Sequence, residues 1–355
     1  MWPKLKARRK HADRNPRAVV VDGLTLEACP GIQDMLDSGD VEAAQRVYAT
    51  VHPGMSAERL ARAELILRHE AFTRAAQRSV AGPWPPTTDL QMTETDELPE
   101  ATAGDLSRET LVAAVRQQGA LIVRGLFDVN VCADLRPMID QAMAAVGGGA
   151  FDPKWNIPFT DAGGRELSQR FRKVNFDPGG RAVPYVPVAA AHVLEEFERI
   201  GLRDLVEGYL GERPALSLEK WTLRRVPPTT NSSWHQDGAF LGEDKHTLNL
   251  WVALSDCGET ASGLDMVARR FDRIVQTGTE GAYFDWDVSQ QVVDAERGDR
   301  PVVSPVFHAG DAVFFDQFLL HRTGIRPGLV DDRYALESWF FTPSSFPSNY
   351  EGLLL

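Results

Sequence analysis

From Ala215 onward, short runs rich in valine, leucine, phenylalanine and tryptophan alternate with clusters of turn-forming residues for the rest of the chain. Leu216–Val226, Thr247–Leu254, Gly263–Val267, Asp311–Leu320 and Arg333–Phe341 each have the composition of a strand. Such a succession predicts an antiparallel sandwich or barrel rather than a series of βαβ units. No internal repeat is visible.

The first half of the chain has a different rhythm. Between Gly31 and Val80 the apolar residues, among them Leu60, Leu65, Leu67 and Phe72, recur at helical spacing, which predicts two or three helices. The proline-rich stretch GPWPPTTDLQMTETDELPEATAGD comes next and reads as a connector. We therefore expect a helical N-terminal extension over 1–100, with a basic tail, and a second unit over 101–355. Ser107, Glu109 and the pattern Leu111, Val112, Val115 predict a short helix ended by Gly119, and Ala120–Phe127 reads as a buried strand. A helix is expected from Asp128 through Ala145, loop between Val146 and Val188, and one amphipathic helix over residues 193–210, ended by Gly211.

At 355 residues, 43% of them hydrophobic and 9% aromatic, the chain can fill a substantial core. A formal net charge of -12 argues against a surface built for nucleic acid, which needs clustered lysine and arginine. Three scattered cysteines, Cys29, Cys132 and Cys257, form neither a CxxC pair nor a disulfide framework, so a reducing compartment, the cytoplasm, is expected. The N-terminal tail holds seven basic residues before position 18 without the apolar run a secretory signal needs, so it reads as a solvated terminus. No apolar run of roughly 18 residues predicts a membrane span.

Ser233-Trp234-His235-Gln236-Asp237-Gly238 sets an imidazole and a carboxylate two residues apart, and on extended backbone such residues point to one side. Alone the H-x-D pattern is weak, since His11-Ala12-Asp13 repeats it; but that copy sits in the charged tail, whereas His235 lies between two expected strands. A third ligand could come from His246, His308 or His321. His321, expected at the end of the strand beginning near Gly310, is favoured by its downstream neighbours. Thr323 lies two positions on and Arg333 opens the next apolar strand, and a guanidinium fork with a hydroxyl beside it suits a buried carboxylate. Arg333 could instead pair with Asp331 or Asp332, and Arg326 competes as anchor, although Pro327-Gly328 puts it in a turn. Two histidines and one carboxylate with open coordination positions suit non-haem iron(II).

Taken in order, Trp234–Gly238, Asn249-Leu-Trp-Val-Ala-Leu254, Ser262-Gly-Leu264, the run from Gly310-Asp311 to His321, and Arg333 resemble the phytanoyl-CoA dioxygenase (PhyH) family. The helix-strand-helix of residues 107–145 is similar to that family's opening, so the resemblance covers about residue 100 to about residue 342. It implies a mainly β protein with flanking helices, built on a double-stranded β-helix, the cupin-like jelly roll. It implies His235, Asp237 and His321 as ligands of Fe(II), and Thr323 with Arg333 as the site for the distal carboxylate of 2-oxoglutarate. The implied reaction is an O2-dependent oxidation of a small-molecule substrate, usually a hydroxylation, with release of succinate and CO2. Asp237 argues against halogenation, because related halogenases carry a small residue there. Where the family often continues from Gly263-Leu264 into Pro-Gly-Ser-His, this chain reads Met266-Val-Ala-Arg-Arg-Phe271, so the substrate does not transfer with the family.

Asn249 and Trp251 alternate on one strand and could contact 2-oxoglutarate or substrate, or pack in the core. Lys220 and Arg224 could hold an anion, but a solvated sheet face is the preferred reading. Of Phe240, Trp286, Tyr334 and Trp339, one or two are expected to line a substrate cavity. Two rivals remain: a cupin-like metal-dependent isomerase or hydrolase, and a non-catalytic metal-binding interaction protein. The first leaves Thr323 and Arg333 without a reason; in the second the N-terminal helices do the work. Oligomeric state has no signal in the sequence.

Overall fold

The computed structural model describes residues 20–21, 24–25, 29, 31–93, 95–147, 154–167, 179–230, 233–279, 281–282 and 284–355. The basic tail, His11-Ala12-Asp13 included, and much of the stretch between 146 and 188 lie outside these residues.

After a two-residue hairpin (β1 Val20–Val21, β2 Leu24–Thr25) come three helices, α1 Ile32–Ser38, α2 Val41–Val51 and α3 Ala57–Arg78. Asp40 and Ser56 cap α2 and α3 by accepting from the backbone N–H groups of Ala43 and Arg59. Next in the chain are β3 Glu100–Thr102, α4 Arg108–Gln118, β4 Ala120–Arg124, α5 Val129–Gly147 and β5 Gly180–Ala182. The expected boundaries hold here: Ser107 caps α4, and Gly119, at φ +95°, ends it. The single helix expected over 193–210 is two, α6 Pro187–Arg199 and α7 Leu202–Leu210, because Gly201 turns left-handed at φ +65° between them.

The remaining strands are β6 Ala215–Val226, β7 Thr247–Ala253, β8 Leu264–Val267, β9 Val302–Val303, β10 Ala312–Phe315, β11 His321–Thr323, β12 Arg333–Phe341 and β13 Gly352–Leu354. The large sheet runs β13-β6-β12-β7-β10-β4-β3, with β5 also on β6, and is antiparallel except for the β3–β4 pair. The small sheet is β11-β8-β9. These two sheets are the jelly roll, with helices flanking the large one. The run Asp311–Leu320 is not one strand: β10 stops at Phe315, where the Asp316 carboxylate accepts from the backbone N–H of Phe318 in a turn, and His321 opens β11 instead of closing β10.

Strand alternation divides the large sheet between two interiors. Leu121, Val123, Leu250, Val252, Phe314, Leu336 and Phe340 pack on the helix side; Ile122, Trp251, Ala253, Val313, Phe315, Ala335 and Trp339 face the small sheet. At about 1.5–3 kcal/mol for each large apolar side chain buried, this two-sided coverage fixes the register. The N-terminal helices join the first of these interiors through Leu36, Tyr48, Leu65, Leu67 and Phe72. From α3, Arg68 donates to the Leu354 carbonyl at 3.2 Å and His69 meets the Gly352 carbonyl at 3.0 Å, so the helix also covers edge strand β13. Among the described residues, no helix is long and apolar enough to cross a membrane.

Candidate active site

Backbone pairing brings His235 to His321. Each residue's N–H donates to the other's carbonyl at 3.0 Å, and His321 pairs in turn with Met266 of β8, so the H-x-D segment extends the small sheet by one residue. The extended conformation ends there. Asp237 is in the right-handed helical region (φ -62°, ψ -26°) ahead of a single turn, α8 Gly238–Leu241. The expectation that period-two alternation alone aims His235 and Asp237 to one side is therefore incorrect; a strand-to-helix turn aims them. The Asp237 carboxylate caps nothing in that turn and stands 3.7 Å from Nε2 of His321.

Ligand-type atoms of His235, Asp237 and His321 lie within 4.8 Å of one another, the spacing of groups that can share one ion. Both rings are preset for that role. Nδ1 of His235 lies 3.0 Å from the Ser233 carbonyl and Nδ1 of His321 lies 3.0 Å from the Leu319 carbonyl. A carbonyl only accepts, so each Nδ1 carries the proton and each Nε2 keeps its lone pair. Burial, reinforced by His235, pulls the His321 imidazole down to about 4, which keeps it neutral near pH 7.

Sequence reasoning missed the groups that hold this turn. Gln236, fully buried, donates to the Phe318 carbonyl at 2.6 Å and accepts from the Val275 N–H at 2.7 Å. Gln317, also fully buried, donates to the Lys245 carbonyl at 2.7 Å while its own backbone carbonyl accepts from Gly238 N–H at 3.0 Å. A Cβ on Gly238 would come within 2.4 Å of Ile274 Cδ1, the end of a half-buried side chain, and 3.2 Å of the Gln317 carbonyl oxygen, so a larger residue would displace Ile274 and crowd the turn. Nothing in the spacing of two glutamines announces such ties.

The three residues line a cavity of about 620 Å³ between the sheets. Arg333, 3% exposed, also lines it. Its Nη1 donates to the Gly263 carbonyl at 2.8 Å, its Nη2 stands 3.5 Å from Thr323 Oγ1, and its guanidinium lies 5.6 Å from the Trp251 ring centre. Among the described residues its Nε has no hydrogen-bond partner, and neither do Asn249 Oδ1 and Trp251 Nε1 on the same cavity. Three unsatisfied buried polar groups in one cavity fit a polar ligand, and a guanidinium among them fits a carboxylate. The rival residues lie elsewhere: Arg326 is 3.7 Å from Asp265, His308 is exposed, His246 stacks on Trp84, and Asp332 pairs with Arg225.

Lys220 and Arg224 face this cavity, which overturns the solvated-face reading: both faces of β6 are covered, Trp221 and Leu223 by the helix-side core and the alternate residues by the cavity. Arg224 donates twice to Glu337, at 3.1 Å each. Burial pushes the Glu337 carboxyl up, but Arg224 and Arg333 bring it below its ordinary value; burial lowers Lys220. Glu337 was missed although it lies four residues beyond Arg333 on β12, where alternation would have found it. Glu219, beside a register shift in β6, is 6% exposed, and burial raises its carboxyl to about 8. Of the four aromatic candidates, Phe240, Trp286 and Trp339 line the cavity, more than expected, while Tyr334 packs on the helix-side core and donates to Asp140 at 2.8 Å.

Among solved structures, the fold is similar to the non-haem alpha-ketoglutarate-dependent carbocyclase SnoK from nogalamycin biosynthesis, at 18% identity over 68% of this chain and 86% of that one, with a TM-score of 0.48. It is similar to AviO1 from Streptomyces viridochromogenes Tue57 (19%, 68% and 98%, TM-score 0.43) and to EctD from S. alaskensis, solved with 2-oxoglutarate and 5-hydroxyectoine (18%, 66% and 75%, TM-score 0.45). No curated protein matches the chain. The phytanoyl-CoA dioxygenase (PhyH) profile, however, matches residues 115–325. A match through more than half of the chain makes this protein a member of the phytanoyl-CoA dioxygenase family, and thus an oxygenase that uses iron(II), 2-oxoglutarate and O2.

Proposed function

We propose that His235, Asp237 and His321 hold the iron(II), and that Arg333 with Thr323 binds the far carboxylate of 2-oxoglutarate. The outcome is hydroxylation of a small molecule with release of succinate and CO2. One observation carries this reading: three ligand-type atoms within 4.8 Å share a cavity with a buried, incompletely satisfied guanidinium. The family match ends at residue 325, before Arg333, so the anchor stands on geometry.

When bound, iron(II) couples oxidative decarboxylation of 2-oxoglutarate to oxidation of a substrate C–H bond. The chain's own residues do the rest. The Ser233 and Leu319 carbonyls fix both imidazole tautomers, and the turn held by Gln236 and Gln317 presents the Asp237 carboxylate. Arg333, held by the Gly263 carbonyl over the Trp251 ring, offers its free donor toward the co-substrate, and the Asn249 amide oxygen is a further polar contact. Phe240, Trp286 and Trp339 exclude water around the reacting bond. We read helices α1–α3 of the N-terminal extension as a brace for the large sheet, and the protein as cytoplasmic and, in keeping with its net charge of -12, not a nucleic-acid binder.

The test is anaerobic titration of the iron(II)-loaded protein with 2-oxoglutarate, monitored through the weak visible absorption of the chelate. The band is expected in the wild type and absent in His235→Ala. Its absence from the loaded wild type would refute the assignment.

A further inference from the structure

Among the described residues, Lys220 forms no close ion pair, although the Asp237, Glu337 and Glu219 carboxylates act on it at longer range. It lines the same cavity as the three candidate ligands, and its Nζ lies 4.2 Å from the Phe240 ring centre, with that ring 6.5 Å from the His235 ring. The carboxylate with the largest effect on it is Asp237, followed by Glu337. The nearest candidates are committed: Glu337 receives both donors of Arg224, and Asp237 belongs to the proposed metal set. An ammonium held inward over an aromatic face and left unpaired fits a site whose counterion arrives with a ligand.

Lys220 and Arg333 leave the backbone at different rows of the large sheet. Arg333 is opposite Val226 in the β12–β6 register, and Lys220 lies six residues back along β6, beyond Ser338 and its partner Trp221. At about 3.3 Å per residue, the regular ladder from Val226 to Trp221 sets their backbone positions more than about 15 Å apart along the strand. Arg333 is held by the Gly263 carbonyl over the Trp251 ring, whereas the Lys220 ammonium lies over the Phe240 ring, so the two cations contact different walls of the cavity.

The Lys220 end has an aromatic border. Phe284 and Trp286 stack at 4.9 Å with an 8° interplanar angle, and Trp286 meets Phe240 edge-on at 5.9 Å and His235 at 5.6 Å. Phe240 and Phe284 line the cavity and are 39% and 48% exposed, so this aromatic border is open to a ligand. Resting on the reading of this cavity as the oxygenase site, we propose that the primary substrate is an amphipathic organic acid. Its anionic group pairs with Lys220, and its apolar body lies against Phe240 and Trp286, within reach of the metal.

The experiment compares benzoate, 2-naphthoate, indole-3-acetate and octanoate with their uncharged primary amides. Binding to the full-length protein loaded with iron(II) and 2-oxoglutarate is measured by anaerobic calorimetry. At least one acid is expected to bind tenfold or more tightly than its amide. That preference falls to near unity in Lys220→Met, which keeps the side chain's shape, and is largely retained in Lys220→Arg. Affinity for 2-oxoglutarate, measured separately, stays within about threefold of wild type in Lys220→Met. If no acid outbinds its amide, or if Lys220→Met leaves the preference intact, the proposal is overturned. If Lys220→Met instead weakens 2-oxoglutarate as Arg333→Met is expected to, Lys220 belongs to the co-substrate and the proposal also falls. Failure of the Arg333 variant to affect 2-oxoglutarate would overturn the underlying site assignment, independently of the acid-to-amide ratio.

Discussion

Replacing Arg333 with methionine removes the guanidinium and keeps much of the length that packs on Trp251. In the wild type the group donates to Gly263 at 2.8 Å and approaches Thr323 at 3.5 Å, leaving Nε free. A hydrogen bond to a charged group contributes about 1.5–3 kcal/mol, so losing a two-donor fork to a buried carboxylate costs about 3–5 kcal/mol of 2-oxoglutarate binding. The dissociation constant should rise between roughly a hundredfold and several thousandfold. Arg333→Lys keeps the charge without the fork and should weaken binding about ten- to thirtyfold. The Gly263 carbonyl loses its donor in Arg333→Met, lowering stability by about 1–3 kcal/mol, so folding is checked by thermal denaturation. The assay is anaerobic 2-oxoglutarate titration in parallel with Mn(II) titration, which reports the metal site alone. A folded Arg333→Met protein that binds Mn(II) normally and 2-oxoglutarate within threefold of wild type would refute the assignment of the anchor.

Asp237→Ala should abolish the rise in melting temperature that saturating Mn(II) gives the wild type, because binding to the native state is what stabilises it; an unchanged rise would place the metal elsewhere. Gly238→Ala, whose Cβ would meet Ile274 at 2.4 Å and the Gln317 carbonyl, should lose about 1–3 kcal/mol of stability and weaken metal binding together; denaturant melts and Mn(II) titration measure both, and a neutral result would mean the turn is not tightly packed. The Glu219 carboxyl is raised to about 8 from an unfolded value near 4.5, so the folded state holds a proton that the unfolded state loses between those pH values. Its contribution is full below about pH 4.5 and is lost as pH rises through about 8; Glu219→Gln should remove at least about 1 kcal/mol of that decline between pH 5 and pH 8, read from denaturant midpoints, and a parallel wild-type curve would contradict it. Leu65→Ala, at a fully buried α3 position in the core shared with the sheet, should cost about 2–5 kcal/mol in a single cooperative transition; a separate early transition of the N-terminal helices would mean they are not part of one folding unit.

Read along the chain, the amino acids establish the strand-rich second half, the helical first part, and the residues able to form a metal set. Strands advertise themselves through local alternation and turn chemistry, so β6, β7 and β12 are legible nearly residue for residue, and Thr323 and Arg333 can be paired with His321 by reading forward from it. The inferences that fail are those that run local patterns past their ends. The run from Asp311 is apolar enough to read as one strand through Leu320, but the Asp316 turn interrupts it, and the helix expected over 193–210 breaks at Gly201 because one left-handed residue redirects the axis without disturbing the apolar spacing.

Which side chains share a space is settled by packing. Lys220 and Arg224 read as a solvated face because one strand's sequence does not show whether its second side is covered; the small sheet covers it and turns those charges inward. The paired backbone of His235 and His321, the glutamines that pin the turn, and the bond between Arg224 and Glu337 join positions up to 113 residues apart. A sequence carries the chemistry of each group and the conformation of its neighbours, but distances between remote groups come from how the sheets pack, and those distances turn the residues into a site.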